Sequence, residues 1–494
     1  MKTTLGIDLG TQNIKVVFYD YSNRRTIASE SAPLNLYQDD DGAAEQHTHW
    51  WIKALCEALE KIPQSVRESV LAMSVSGQQH GFVPLDKFGE ALAPVKLWCD
   101  TSTAIECEEI MQAMGGEQAC LEQTGNRILT GYTASKVLAF KKNHAELYAQ
   151  LDTILLPHDY INFWLTGEKC MEMGDASGTG FLDIAKREWS QPVLTAIDAE
   201  RDLLASLPPL RTDNQFIGSV SETAASKTGL PVGTPVAIGG GDNMMGALGT
   251  GNLSPGRATV SMGTSGTVYA YSDKPILDDK GNIAAFCSSS GGWMPLLCTM
   301  NCTVTTELYR TMLGVSIPEF DETVLQAPAG SNGVITLPFF NGERTPNLPN
   351  AKGCVIGLDS QNTTRENLLR SGLEGATFAL RFGIDELARL GLETEEIVLT
   401  GGGTKSAVWR QATADIMGLN VSVLKQDEGA AFGAALQAYA ALENDGNLTS
   451  DFLDDHYVMD EQLGCEPDIV AQSTYQDIYQ QYNEAVTAVT KLFN

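Results

Sequence analysis

Leu5-Gly6-Ile7-Asp8-Leu9-Gly10-Thr11-Gln12-Asn13, followed by Lys15-Val16-Val17-Phe18-Tyr19-Asp20, decides the reading of this chain. A short apolar strand delivers Asp8 to a tight Gly-Thr-polar turn, and a second apolar strand leaves at once. The pattern predicts a hairpin with Asp8 at its rim. A turn of this kind presents backbone N–H groups at Thr11 and Gln12 and a hydroxyl, which suit phosphate oxygens. The adjacent carboxylate suits a hydrated Mg²⁺. Alone, the stretch is equally an ordinary hairpin with small residues in its turn.

Val260-Ser261-Met262-Gly263-Thr264-Ser265-Gly266-Thr267-Val268-Tyr269 repeats the arrangement of strand, Gly-Thr-small turn and strand, in the second half of the sequence. Two phosphate hairpins, one per half, mark the actin-like ATPase architecture. Ile397-Val398-Leu399-Thr400-Gly401-Gly402-Gly403 supplies a third part: a buried-type strand ending in glycines, with a helix expected from near Ser406. Gly401, Gly402 and Gly403 let the backbone approach a flat ring or a ribose, so this stretch reads as the adenosine contact.

The composition is that of a large globular protein. Over 494 residues, 62 acidic and 33 basic side chains give a formal net charge of −29. Nucleic acid and anionic membrane both require a positive surface, so neither is expected as a partner. The phosphate site must therefore make its own local attraction. Ten cysteines lie scattered without a C-x-x-C pair or zinc-ligand spacing, which predicts a reducing, cytoplasmic setting with Cys56, Cys120 and Cys354 in the core. The chain reaches Asp8 before any apolar run of signal length, and its longest uncharged stretch, Ile283 to Thr306, is too polar to span a membrane.

Helical spacing predicts helices near Trp50–Lys61, Ala134–Tyr148, Asp159–Leu165, Thr364–Leu390, Gly429–Leu442 and Tyr475–Phe493. A strand at Pro235–Ile238 is expected to open the second half, to which the helices after it are assigned.

The best candidate base is Asp242, which follows Gly239-Gly240-Gly241 at the head of a helix. An Asp there is also a good N-cap. Three glycines, however, give the backbone close access to something lying against it, which a plain cap does not require. Phosphoryl transfer to an alcohol requires a carboxylate to accept the hydroxyl proton. Gln79, His80, Trp98 and Asp100 are placed as a sugar wall, because a polyol takes both hydrogen bonds and an aromatic face, and strand-end loops are where such groups converge. His47, His49, His144, His158 and His456 show no functional company.

On these residues the chain resembles the FGGY family of carbohydrate kinases nearly end to end. The specific stretches are Ser76-Gly77-Gln78-Gln79-His80-Gly81, Leu156-Pro157-His158-Asp159-Tyr160, Asp175-Ala176-Ser177-Gly178-Thr179-Gly180 and Leu182-Asp183-Ile184-Ala185-Lys186-Arg187. To these are added Gly239-Gly240-Gly241-Asp242-Asn243, Gly342-Glu343-Arg344-Thr345-Pro346 and the two signatures around Lys136 and from Gly353 to Glu374. Within the family the likeness is to members that phosphorylate D-xylulose. The resemblance implies an α/β fold of two actin-like (ribonuclease H-like) ATPase domains, 1–238 and 239–494, with a nucleotide and sugar cleft between them. It implies ATP- and Mg²⁺-dependent formation of D-xylulose 5-phosphate, and a homodimer as the assembly. Asp242 would accept the proton, and Asp8 would act on the metal and phosphates. Gln79, His80, Trp98, Asp100 and Asn243 would bind sugar. Thr11, Gln12, Gly263, Thr264, Gly401, Gly402 and Gly403 would hold the nucleotide.

Cys99 and Gln79 depart from the residues usual at those positions, as do Ala139 and Gly372 in the two signatures; Asp8 and Asp242 are untouched. Ribulose, gluconate and glycerol stay open as sugars. An actin- or chaperone-type ATPase would share the hairpins without needing the wall or the base, and a sugar sensor would keep the wall and lose the base. No G-x-x-x-x-G-K-[ST] run occurs, which excludes a P-loop kinase.

Overall fold

In the computed structural model, which describes residues 2–426 and 428–493, β1 (Thr3–Leu9) and β2 (Asn13–Asp20) form the antiparallel hairpin the sequence predicts, with Asp8 opposite Lys15. Side chains alternate across a strand, so Leu5, Ile7 and Leu9 share one face and are fully buried. β3 (Arg25–Pro33) adds to β2, and β4 (Val70–Gly77) pairs in parallel with β1. β5 (Phe216–Ser219) lies antiparallel to β6 (Pro235–Ala237), while β6 and β7 (Gly240–Gly241) both pair in parallel with β4. The sheet order is β5-β6-β4-β1-β2-β3, with β7 also on β4.

Three parallel strands therefore end side by side. Asp8 is opposite Ser76, Gly240 is opposite Ser76, and Gly241 is opposite Gly77. This carboxyl edge is where open α/β sheets gather ligand-binding groups.

Two compact units make up the chain. The first comprises Met1–Leu253, Ser272–Met294 and Glu428–Tyr457, and the second Ser254–Tyr271, Pro295–Asp427 and Val458–Asn494. The boundary expected at 238/239 thus falls inside the first unit, because β6, β7 and the helix after them complete the sheet begun by β1. The helix Ala430–Glu443, expected in the second half, also belongs to the first unit. Its small residues explain the placement: a Cβ at Gly6 of β1 would lie 1.8 Å from the Ala431 carbonyl oxygen, and one at Gly433 would lie 1.8 Å from that of Met245. Only hydrogen fits at either contact. On the Leu5–Ile7–Leu9 face, α1 (Thr48–Glu60) buries Trp51, Leu55 and Leu59 in the core. α2 (Thr133–Asn143) stops five residues short of expectation at His144, whose φ of −136° is not helical, and one further turn follows at Ala145–Tyr148. α3 (Pro157–Thr166) and α4 (Asp242–Gly249) complete the elements around the strand ends.

The second unit is built on β8 (Gly256–Met262), β9 (Gly266–Ala270), β10 (Leu296–Thr299), β11 (Thr394–Thr400) and β12 (Asn420–Val423), in the order β10-β9-β8-β11-β12. β8 and β9 are the second hairpin, and β11 runs parallel to β8, as β4 does to β1. Its helices include α5 (Thr303–Leu313), α6 (Arg365–Arg389), α7 (Ala407–Met417) and α8 (Ile469–Phe493). The sequence located α6 and α7 closely, since Thr364 and Ser406 each accept a first-turn N–H at the N-cap. Phe378 of α6 packs against Tyr475, Tyr479 and Tyr482 of α8.

All ten cysteines are free; Cys120 is buried as expected, whereas Cys56 and Cys354 are part-exposed. Among the described residues no helix is long and apolar enough to cross a membrane.

The packing of the Ala430–Glu443 helix is testable through its glycines. Gly433→Ala should lower unfolding stability by about 1–3 kcal/mol, the usual cost of overpacking, in urea titration. Gly402→Ala, where a Cβ would meet nothing within 4 Å, should be near neutral. Equal stability of the two variants would contradict the packing described.

Candidate active site

Asp8 and Asp242 are brought to one sheet edge by the parallel pairing on either side of β4. Ser76 Oγ donates to Asp8 Oδ1 at 2.9 Å. Burial raises the Asp8 carboxyl above its ordinary value, against the Ser76 bond and Lys15, which pull it down. Asp242 is the first residue of α4, and the N-cap is Gly241; the capping role open to it in the sequence is not the one it takes. Its Oδ1 accepts from the Asn243 N–H at 2.8 Å and from Asn243 Nδ2 at 3.1 Å. Burial, then the negative charges of Asp8 and Asp175, push Asp242 up to about 8. A carboxyl that changes ionisation near neutral pH is suited to accepting a proton.

Gln79 joins this group directly: Asn243 Nδ2 donates to Gln79 Oε1 at 2.8 Å, and Gln79 Nε2 reaches Met244 Sδ at 3.4 Å. Asp242, Asn243 and Gln79 are therefore held together in one unit. Thr11 sits differently from expectation. Its hydroxyl accepts from Trp98 Nε1 at 2.9 Å and donates to Gln78 Oε1 at 2.9 Å. Gln78 Nε2 and Trp51 Nε1 then both donate to Gln46 Oε1, and Gln46 Nε2 donates to the Thr11 carbonyl. The hydroxyl read as a phosphate contact instead locks the first hairpin turn to the Trp98 side of the wall. Gln12 is exposed beside it.

His80 has a φ of +67°, a conformation an L-residue adopts only when its surroundings enforce it. Lys136 Nζ at 3.0 Å and Thr133 Oγ1 at 3.0 Å both donate to the His80 carbonyl. The His80 ring packs against Tyr132 at 4.9 Å and Phe286 at 6.1 Å. It lies so close to Gly178 that a Cβ there would fall 2.0 Å from Nδ1. Lys136, to which the sequence gave no role of its own, is fully buried, and burial lowers it to about 7. Asp100 is fully buried and its oxygens are in use: Oδ2 accepts from the Ala44 N–H and Lys96 Nζ, and Oδ1 from the Ser102 N–H and Oγ. Ser102, Ala44 and Lys96 together outweigh burial and hold its carboxyl low. It braces the strand-end loop of Trp98.

In the second unit, the Gly263 and Thr264 carbonyls accept N–H groups from Thr303 and Cys302, each at 2.9 Å, so the start of α5 clamps the hairpin turn and Thr264 stays exposed. Gly401 has a φ of +91°, and a Cβ on it would lie 2.9 Å from the Met262 carbonyl group. Gly403 presses on the Met262 side chain, and Gly402 faces open space. The glycine strand end therefore packs on the residue that enters the Gly263–Thr264 turn, joining two of the three expected nucleotide elements.

His158, expected to have no functional company, has charged neighbours on both ring nitrogens. It is fully buried; Nδ1 lies 2.6 Å from Asp175 Oδ2, and Nε2 lies 3.0 Å from Asp159 Oδ1. Glu172 accepts the N–H groups of Gly174 and Asp175 alongside. Asp159 is an immediate neighbour and was visible, but the partner Asp175 arrives only through folding.

Among the described residues no group of three or more His, Cys, Asp or Glu side chains could hold a metal ion. Mg²⁺ in a phosphoryl-transfer site takes one or two carboxylates and completes its ligands with phosphates and water. Asp8, a carboxylate oriented by Ser76, fits such a role.

The two hairpin-bearing sheets are of the actin-like ATPase kind, and the fold matches that of a xyloylose kinase from Brucella ovis with a TM-score of 0.90 at 29% identity, covering 99% of this chain and 100% of that one. A gluconate kinase from Lactobacillus acidophilus shares the fold at a TM-score of 0.89 and 24% identity, covering 100% and 99%. Residues 3–249 match the N-terminal domain, and 258–442 the C-terminal domain, of the FGGY family of carbohydrate kinases. The chain is 44% identical over 486 residues to the xylulose kinase of Haemophilus influenzae, covering 97% of this chain and 98% of that one. The chain belongs to the FGGY family of carbohydrate kinases.

The elevated Asp242 carboxyl has a stability consequence. Its folded value of about 8 lies above the ordinary 3.8, so the native state binds this proton more tightly than the unfolded state. Stability from this group is full at low pH and is lost as pH rises towards about 8. Asp242→Asn cannot ionise, so its melting temperature relative to the wild type should climb between pH 5 and pH 8 and then level. A pH-independent difference would contradict the placement.

Proposed function

We propose that this kinase transfers the γ-phosphoryl group of ATP to the 5-hydroxyl of D-xylulose, giving D-xylulose 5-phosphate and ADP. The observation that carries the reading is the joining of Asp242 to the wall through Asn243 and Gln79. A base held on the residues that contact sugar can meet a sugar hydroxyl. The choice of D-xylulose is supported by the similarity to the Haemophilus influenzae xylulose kinase over nearly the whole of both chains.

In this reading Gln79, His80 and Asn243 hydrogen-bond the ketose hydroxyls and Trp98 offers its ring to the C–H surface. Asp242 takes the proton as the 5-oxygen bonds to phosphorus and the β–γ bridge bond breaks, the electron pair leaving with ADP. Gly263, Thr264 and Gly401–Gly403 hold the nucleotide, with Gly402 at its open face. Mg²⁺, when bound, would neutralise charge on the transferring phosphoryl oxygens, with Asp8 as its protein ligand. The reducing cytoplasm is the proposed compartment, in keeping with ten unbridged thiols.

Asp242→Asn should keep sugar affinity and lose about two to four powers of ten in turnover, the usual worth of a positioned base. In a coupled ADP-release assay over ketoses and polyols, D-xylulose should give the highest kcat/KM. Near-normal turnover of folded Asp242→Asn would remove it as the base. A tenfold preference for ribulose, gluconate or glycerol would overturn the sugar, with Cys99 and Gln79 the first residues to vary.

Nucleotide placement has its own check. Gly402→Val has open space before it, so it should fold normally and raise the KM for ATP several-fold at unchanged sugar KM. An unchanged ATP KM would exclude the Gly402 face from the nucleotide site.

A further inference from the structure

The three glycines before Asp242 admit the protein's own side chains. A Cβ at Gly239 would fall 2.2 Å from the Val75 carbonyl oxygen and 3.0 Å from His158 Cδ2. One at Gly241 would fall 2.8 Å from Gln79 Cγ and 3.0 Å from Asp175 Oδ1, and one at Gly77, across the ladder, 2.9 Å from His158 Cβ. His158 and Asp175 therefore lie directly against the backbone that carries Asp242. Asp175 is fully buried. Its Oδ2 is bound to His158 Nδ1, and its Oδ1 has no hydrogen-bond partner among the described residues.

We propose that His158 and Asp175 are a positioning pair for the base, in which the imidazolium holds the Asp175 carboxylate against Gly241 and compensates its charge behind Asp242. This rests on the reading of Asp242 as proton acceptor. Without His158, the negative charge next to Gly241 would oppose ionisation of Asp242 across a short, poorly screened distance. With it, a positive charge faces the Asp175 carboxylate, and the two side chains pack against the strand ends at Gly77, Gly239 and Gly241. Around His158 the charged groups are Asp159 on its own helix, Asp175 on the short helix Met173–Ala176 and Glu172 on the strand before it. They outweigh the burial that disfavours the imidazolium and raise His158 to about 9. Burial raises Asp159 and Glu172 to about 7 each. Facing Asp242 are Asp8 of β1 and Asp175.

The pH dependence of kcat/KM for D-xylulose at saturating MgATP separates this role from plain structural support. His158→Gln removes a positive charge and should move the acid limb up by about one pH unit; Asp175→Asn removes a negative charge and should move it down by a similar amount. Both should lose kcat more than they raise sugar KM. Limbs that stay put or move together would overturn the proposal, since lost packing has no reason to shift two bonded neighbours in opposite directions. Should the variants fail to fold, ¹⁵N imidazole shifts of the intact enzyme decide. His158 should remain doubly protonated at pH 8, and its resonances should respond to Asp242→Asn; a neutral His158 at pH 7 would refute the pair. Normal turnover in Asp242→Asn would instead refute the underlying assignment of the base.

Discussion

The parallel pairing of Val70–Gly77 with Thr3–Leu9 on one side and Gly240–Gly241 on the other is the constraint on which the rest depends. It sets three strand ends in register, so that Asp8, Ser76 and the residue after Gly241 emerge at one edge. Burial raises both carboxyls, and at Asp242 the negative charges of Asp8 and Asp175 add to it. The ionisation of Asp242 near neutral pH thus follows first from its burial at this edge and then from the charges that the sheet register sets near it. A one-residue slip would turn these side chains to the opposite face of the sheet.

Around that edge, hydrogen bonds between loops do what no single element could. The circuit through Thr11, Trp98, Gln78 and Gln46 joins the first hairpin turn to the Trp98 loop, and Asn243 joins Gln79 to Asp242. His80 is kept in a left-handed conformation by Lys136 and Thr133, which hold its carbonyl from below. Buried polar side chains of this kind are costly unless satisfied, and most of those near the site are satisfied by one another. Asp175 Oδ1 is one of the exceptions, with His158 Nε2 and Asp159 Oδ1, and it stands against Gly241.

What the sequence disclosed was local. Both hairpins, the strand into Gly401–Gly403, and the helices capped by Thr364 and Ser406 follow from alternation, turn chemistry and capping within a few residues. What it concealed was set by distant pairing. Residues 235–253 read as the start of a second half because they open a new strand and helix, but β6 and β7 find their partner in β4, far upstream. The Ala430–Glu443 helix reads as an interchangeable apolar helix until Gly6 and Gly433 show how closely it must approach. Asp100 was placed in the sugar wall because it follows Trp98 in a strand-end loop, whereas its oxygens are taken by Ala44, Lys96 and Ser102, contacts that only folding brings together. Gly239–Gly241 correctly signalled a close approach, and the occupant is His158 and Asp175 of the same chain.

The central claim is that this edge phosphorylates the 5-hydroxyl of D-xylulose. Phosphorus–proton correlation NMR on the product of purified enzyme, ATP, Mg²⁺ and D-xylulose reads the position of the new ester directly. The account predicts one sugar monophosphate whose phosphorus couples to the C5 protons, formed in step with ADP. A phosphate on another carbon, or release of inorganic phosphate in place of an ester, would contradict it.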